Sequence, residues 1–371
     1  MRTLTFFTGL LLFMLILCSC QSELENIKPL SPADHSPSSA RIGPKDDGDP
    51  GPTENQESWL AFYRGFNSNK VFFARSSNGQ QFSEVGSLGL GEQTDRTPTC
   101  VQLGDRIFSY YRGNTSHKFF MAFSDDEGDS WTGNWNVINQ QIGAGPAAVE
   151  YNGEIFVFFP NNGSTTARTI EYWRSSNGFM FTGPFFPEVQ PTTNNPDGDV
   201  QLARNVEMAP VVHNGRLYLI YVDEGRDIRV ISTMTGNQTE WIIGINDLLS
   251  ESTKDGISAT STGSEIVVAF TGRNTNKVYT KRATAINSSG GLNWNTRTHV
   301  GAYSNERPGI ATNQSVMSVL YKDGGSSGNG HVQGDFTNLP GNTWNPIPWS
   351  SSGPNYFGYT SSGVSLMHVE P

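Results

Sequence analysis

The stretch Phe123-Ser124-Asp125-Asp126-Glu127-Gly128-Asp129-Ser130-Trp131 decides the fold. It follows the pattern S-x-D-x-G-x-[ST]-W in full. Ser and Asp side chains are short enough to bond the backbone amides of a tight turn. Gly permits the left-handed dihedral that such a turn needs, and Trp gives it an apolar plate to rest on. The pattern marks a structural joint between two strands rather than a reactive centre.

Weaker copies lie on both sides. Ser76-Ser77-Asn78-Gly79 ends at Phe82, and Ser175-Ser176-Asn177-Gly178 ends at Phe181. Degenerate copies combine Ser232 with Gly236 and Trp241, Asn287 with Gly291 and Trp294, and Thr337 with Gly341 and Trp344. The closing aromatics at 82, 131, 181, 241, 294 and 344 recur every 49 to 60 residues. An apolar run precedes each copy: Trp59–Tyr63, Ile107–Tyr111, Ile155–Phe159, Leu217–Tyr221, Ile266–Phe270 and Val316–Tyr321. A period near 50 residues with room for about four strands per unit means propeller blades. Six runs and six turns predict an all-β, six-bladed β-propeller; five or seven blades are the competing counts.

Shorter strands precede the later runs, several of them at a proline, as in Thr97-Pro98, Gly145-Pro146 and Arg307-Pro308. The first unit has no such strand on its N-terminal side. Gly363–His368 is the spare strand that would fill the gap and close the ring.

Composition agrees with this class. Charged residues make up 16% of the 371 residues and aromatics 11%, with 40 glycines. That charge content is below the roughly 25% of ordinary soluble domains. The formal net charge of -10 argues against a nucleic-acid partner, which needs a positive surface. No Cys/His cluster has metal-ligand spacing, so neither a metal nor another cofactor is expected. Cys100, in Thr97–Val101, reads as a small buried hydrophobe.

The N-terminus reads as a targeting segment. A basic start precedes an apolar run from Phe6 to Leu17, which is short for a membrane span. Leu17-Cys18-Ser19-Cys20 resembles the bacterial lipobox. That resemblance implies a lipoprotein signal peptide over 1–19 and a lipid on Cys20. The acidic residues of Gln21–Glu25 resemble a surface-export tag. Residues 20–56, rich in Pro, Ser, Asp and Gly, read as a flexible tether, and 57–371 as the propeller. The expected location is the bacterial outer membrane or cell surface, with the membrane met only through the lipid anchor.

If strands run A to D outward from the axis, the box turns join C to D. The D–A links and B–C turns then share the opposite end. Candidate site residues gather there: Arg96, Glu207, Asp255 and Arg307 in D–A links, and Arg64, Arg112 and Arg273 in B–C turns. Guanidinium groups converging on an axis would hold a carboxylate or sulfate. The bland alternative is solvated turn charges or contacts between blades.

The order of motifs resembles the sialidase superfamily of Asp-box propellers. Arg96-Thr97-Pro98 and the full box resemble its opening. Glu207–Pro210 with Asn214–Tyr218 resembles its middle, and Ala302-Tyr303-Ser304 with Ser318–Tyr321 resembles its end. The resemblance implies a retaining exo-glycosidase. Arg96 would bind the sugar carboxylate, Tyr303 would be the nucleophile and Glu207 its partner. The acid/base aspartate of that family has no counterpart in Tyr111–His117. The expected function is therefore a surface propeller acting on glycans, including acidic sugars, with a non-catalytic, lectin-like glycan binder as the alternative. The turns Tyr63-Arg64-Gly65, Tyr111-Arg112-Gly113 and Thr271-Gly272-Arg273 resemble the modular turns of propeller lectins.

Overall fold

Each apolar run forms the second strand of a sheet, because its side chains face neighbouring blades on both sides and stay buried. The structure is a computed structural model describing residues 58–161, 169–189, 200, 202–203, 206–285, 290–313, 315–324, 330–341, 343–347 and 360–370. The expected signal peptide, Cys20, the tether and Asn287 lie outside the described residues. The chain divides into two units, Met1–Thr53 and Glu54–Pro371, and the described residues belong to the second.

Blade 1 holds β1 (Ser58–Gly65), β2 (Val71–Ser76) and β3 (Ser83–Ser87). Blade 2 holds β4 (Thr99–Leu103), β5 (Arg106–Arg112), β6 (Lys118–Ser124) and β7 (Thr132–Gln141). Blade 3 holds β8 (Ala147–Tyr151), β9 (Glu154–Pro160), β10 (Ile170–Ser175) and β11 (Thr182–Phe185). Blade 4 begins with β12 (Ala209–His213), β13 (Arg216–Val222) and β14 (Asp227–Thr233). Next comes β15 (Ile242–Ser261), whose first half pairs with β14 as the outer strand of blade 4. Its second half pairs with β16 (Ile266–Gly272) as the inner strand of blade 5. One strand thus serves both blades, with its register shifting between Thr253 and Ile257. Blade 5 continues through β17 (Lys277–Ala285), β18 (Leu292–Trp294) and β19 (Thr298–Tyr303). Blade 6 holds β20 (Gly309–Thr312), β21 (Val316–Lys322), β22 (Val332–Asn338) and β23 (Asn345–Pro346).

The last strand, β24 (Thr360–Val369), pairs antiparallel with β1, placing Leu366 opposite Ala61 and Val364 opposite Tyr63. The inner strands touch in a closed cycle: β24, β4, β8, β12, the end of β15, β20 and back to β24. The two chain ends of the propeller therefore share blade 1. Closure leaves no inner strand with an exposed flank.

The box turns join blades as well as strands. Ser124 Oγ accepts from Gly128 N at 2.7 Å, and Asp126 Oδ1 accepts from Ser130 N at 2.8 Å. Trp131 is buried edge-on against Phe62 of blade 1, with ring centroids 5.4 Å apart. Blades 1 and 3 repeat the turn with Asn in place of Asp. In blade 4 the bonding hydroxyl is Thr233, 3.1 Å from Gly236 N, and not the expected Ser232. Gly178 shows why glycine is needed. Its φ is +78°, and an added β-carbon would stand 2.2 Å from Phe108 Cζ of the preceding blade.

Candidate functional site

The six inner strands run from one end of the axis, and the residue two places before the ladder partner of each apolar run's penultimate residue forms a ring. From blade 1 to blade 6 the ring reads Gly363, Thr97, Gly145, Glu207, Gly256 and Arg307. Only Glu207 and Arg307 carry long side chains, and glycines flank both. An added β-carbon on Gly145 would lie 3.0 Å from Glu207 Oε1, and one on Gly363 would lie 2.7 Å from Arg307 Cβ. The glycines make the space that the two charged side chains occupy over the axis.

One place further out stand Arg96, Asp255 and Glu306, and Lys322 Nζ lies 3.3 Å from Glu306 Oε1. Burial, reinforced by the Asp255 carboxylate, pushes the Glu207 carboxyl up to about 7, while Arg307 and Arg96 oppose the shift. Burial and the same Asp255 push Glu306 up to about 7, with Lys322 opposing. A carboxyl group with such a value can hold or give up a proton near neutral pH. Burial lowers Arg307, and Glu207 resists that change. The sequence-predicted Arg96, Glu207, Asp255 and Arg307 are therefore brought together. Glu306, the D–A link residue beside Arg307, joins them as its place in the link implies, and Lys322 at the end of β21 joins through Glu306 with no sequence signal of its own.

The B–C turn arginines have another position. Arg64 bonds Asn69 and reaches the carbonyl of Asp95 in the link to blade 2 at 3.4 Å. Buried Arg112 lies 3.5 Å from Asp95 Oδ2 and 3.5 Å from the carbonyl of Gly143 in the link to blade 3. Arg273 is exposed and donates to the carbonyl of Gly225 at 2.8 Å. These three hold neighbouring turns and links together, as the bland reading of turn charges has it. Tyr303 ends β19, the outer strand of blade 5. It is 49% exposed, and its ring neighbours are His299 and Lys277. Glu207 instead meets Asp255, Arg96 and Arg307 on the axis, so the implied tyrosine–glutamate pair is not formed.

Two cavities matter. A funnel of 710 Å³ runs along the outer halves of the inner strands and opens beside the A–B turns at Gly104 and Gly153, the box-turn end. It is not at the D–A end where the charges gather. A second cavity of 260 Å³ lies beside the B–C turn of blade 2, lined by Gln93, Tyr111, Asn114, Thr115, Phe120 and Asn134 among others. Tyr111 donates to Asn134 Oδ1 at 2.8 Å, and its ring stacks on Phe120 at 5.9 Å. Among the described residues, the side chains of Gln93, Asn114 and Thr115 have no hydrogen-bond partner.

No family model matches this sequence, and no curated protein sequence does either. Solved structures do. A fungal lectin from Aleuria aurantia, described as a six-bladed β-propeller with a novel fucose recognition mode, superposes with a TM-score of 0.58 at 15% identity. The match covers 81% of this chain and 91% of the lectin. This chain has the same fold. AofleA from Arthrobotrys oligospora matches with a TM-score of 0.54 at 12% identity, over 85% of this chain and 89% of its own. The Hadza microbial sialidase Hz136 matches with a TM-score of 0.52 at 10% identity, over 82% of this chain and 74% of its own. At these identities the likeness establishes the propeller and leaves function to the site.

Proposed function

We propose that the propeller is a non-catalytic, lectin-like glycan binder, and that its sugar site is the cavity beside the blade 2 B–C turn. The observation that carries this is the chemistry of the cavity. Its lining has no charged residue, three amide or hydroxyl side chains are uncommitted, and an aromatic pair forms one wall. Sugars offer hydroxyls for such amides and C–H faces for such rings. Lectins among the structural neighbours support the reading, and their recorded ligand makes fucosides the first probe. The test is a glycan array probed with the purified protein, followed by titration of the best glycan into Asn114→Ala and Thr115→Ala. Retained affinity in both variants would sink this location, and silence across the array would sink the reading itself.

A sialidase-type hydrolase is the second reading, favoured by Glu207 standing near neutrality between Asp255, Arg96 and Arg307. A fluorogenic sialoside assay of wild type and Glu207→Gln decides it. The lipid on Cys20 would present either activity on the bacterial surface. Cys20→Ala should then move the protein from the membrane fraction to the soluble fraction.

A further inference from the structure

The axial funnel narrows to a chamber of 60 Å³ on the axis, lined by all six inner strands. Arg307 lines this chamber with Thr99, Cys100 and Ser365. Arg307 is only 5% exposed, and its Nε and Nη1 have no hydrogen-bond partner among the described residues. Glu207 is close by, yet no ion pair within 4.0 Å joins the two. A buried guanidinium with unmet N–H groups is costly unless something accepts them.

The rest of the lining offers donors. Thr99 Oγ1 already accepts the Ala148 N–H at 3.3 Å, leaving its proton to donate. The Ser365 hydroxyl faces the Cys100 sulfur at 3.7 Å. Burial pushes that thiol up to about 12, so it stays protonated and adds no negative charge. Ser258 is committed to the Pro308 carbonyl at 2.6 Å. No carboxylate lines the chamber.

We propose that this chamber is an anion site for a halide-sized ion, held by Arg307, Thr99 and Ser365, which locks the closing strand β24 between blades 6 and 2. The size excludes a sugar, since a single water takes up about 30 Å³ in the liquid. The three donors come from blades 6, 2 and 1, so one ion ties both flanks of the ring seam. The wide funnel supplies the path from solvent. The inference does not depend on the glycan reading.

Bromide-soaked crystals, measured at the bromine edge, test occupancy. Thermal unfolding of the full chain in sodium chloride against sodium gluconate at equal ionic strength tests consequence. The expected result is an anomalous peak within hydrogen-bond reach of Arg307 Nε and Nη1, with a Tm higher in chloride by several degrees. The chloride-specific gap should vanish in Arg307→Met. If that variant does not fold, Thr99→Val should shrink the gap. No peak in the chamber overturns the proposal. So does a peak with equal Tm in both salts, which would mean an adventitious ion only.

Discussion

Glu207 and Arg307, two blades apart in the axial ring, converge over the glycine between them: a β-carbon on Gly256 would stand 2.9 Å from Glu207 Oε2 and 3.1 Å from Arg307 Cδ. Both side chains are buried, so neither can swing into solvent without uncovering the axis. Gly256→Ala should therefore destabilise the propeller by about 1–3 kcal/mol, the usual cost of overpacking. Urea unfolding measures it. An unchanged midpoint would mean that the two side chains have slack the structure does not show.

The same ring makes stability depend on pH. Glu207 and Glu306 bind their protons more tightly folded than unfolded, with values pushed from 4.5 to about 7. Between those values the native state holds more protons than the unfolded chain. Stability from these groups is full below about pH 4.5 and falls as pH rises through 7. We expect the urea midpoint to drop between pH 5 and pH 8, and Glu207→Gln to flatten part of that slope. The loss should be about 1–3 kcal/mol, because the coupled carboxyl groups share the shift. A midpoint that rises over this range would contradict the assignment.

How much of this was readable in advance follows from what each feature depends on. The blade turns were legible because Ser124, Asp126 and Gly128 act within one turn, so their chemistry is local. The closing role of Gly363–His368 was legible by counting, since one blade lacked an inner strand. The convergence of Arg96, Glu207, Asp255 and Arg307 followed from blade symmetry. The fate of Arg64 and Arg112 did not. A turn arginine can point to the axis or lie along a neighbouring link, and the sequence pattern is the same for both. The placement of Tyr303 on an outer strand depends on β19 pairing with β17 beside β18, which no local motif marks. The glycines of the ring carry no side-chain signal, and their role appears only when Glu207 and Arg307 are laid over them.

Ring closure gives a sharper test. Leu366 is buried opposite Ala61, in the strand that joins the chain ends. Leu366→Asp would bury an unpaired carboxylate in the seam and should cost about 3–5 kcal/mol. Limited proteolysis should then cut first within residues 360–370. A variant as resistant as wild type would show that β24 is dispensable for the ring.

The two turn residues Arg112 and Asn114 should separate stability from recognition. Arg112 is buried between Asp95 and the carbonyl of Gly143, so it links the blade 2 turn to blade 3. Removing it leaves Asp95 with the weaker partner His117, 3.7 Å away. Because Asp95 keeps some solvent, Arg112→Met should cost about 1–3 kcal/mol rather than the full penalty of a stranded buried charge. Asn114 bonds the link to blade 1 through its backbone, donating N–H to the Gln93 carbonyl at 3.1 Å, which leaves its side chain for a ligand. Asn114→Ala should therefore change the unfolding midpoint by less than about 0.5 kcal/mol. It should lower glycan affinity tenfold or more, about 1.4 kcal/mol. Calorimetric titration beside thermal melts reads both quantities. If Arg112→Met abolished binding at unchanged stability, the arginine itself would be the ligand contact and the blade-link role assigned to it would fail.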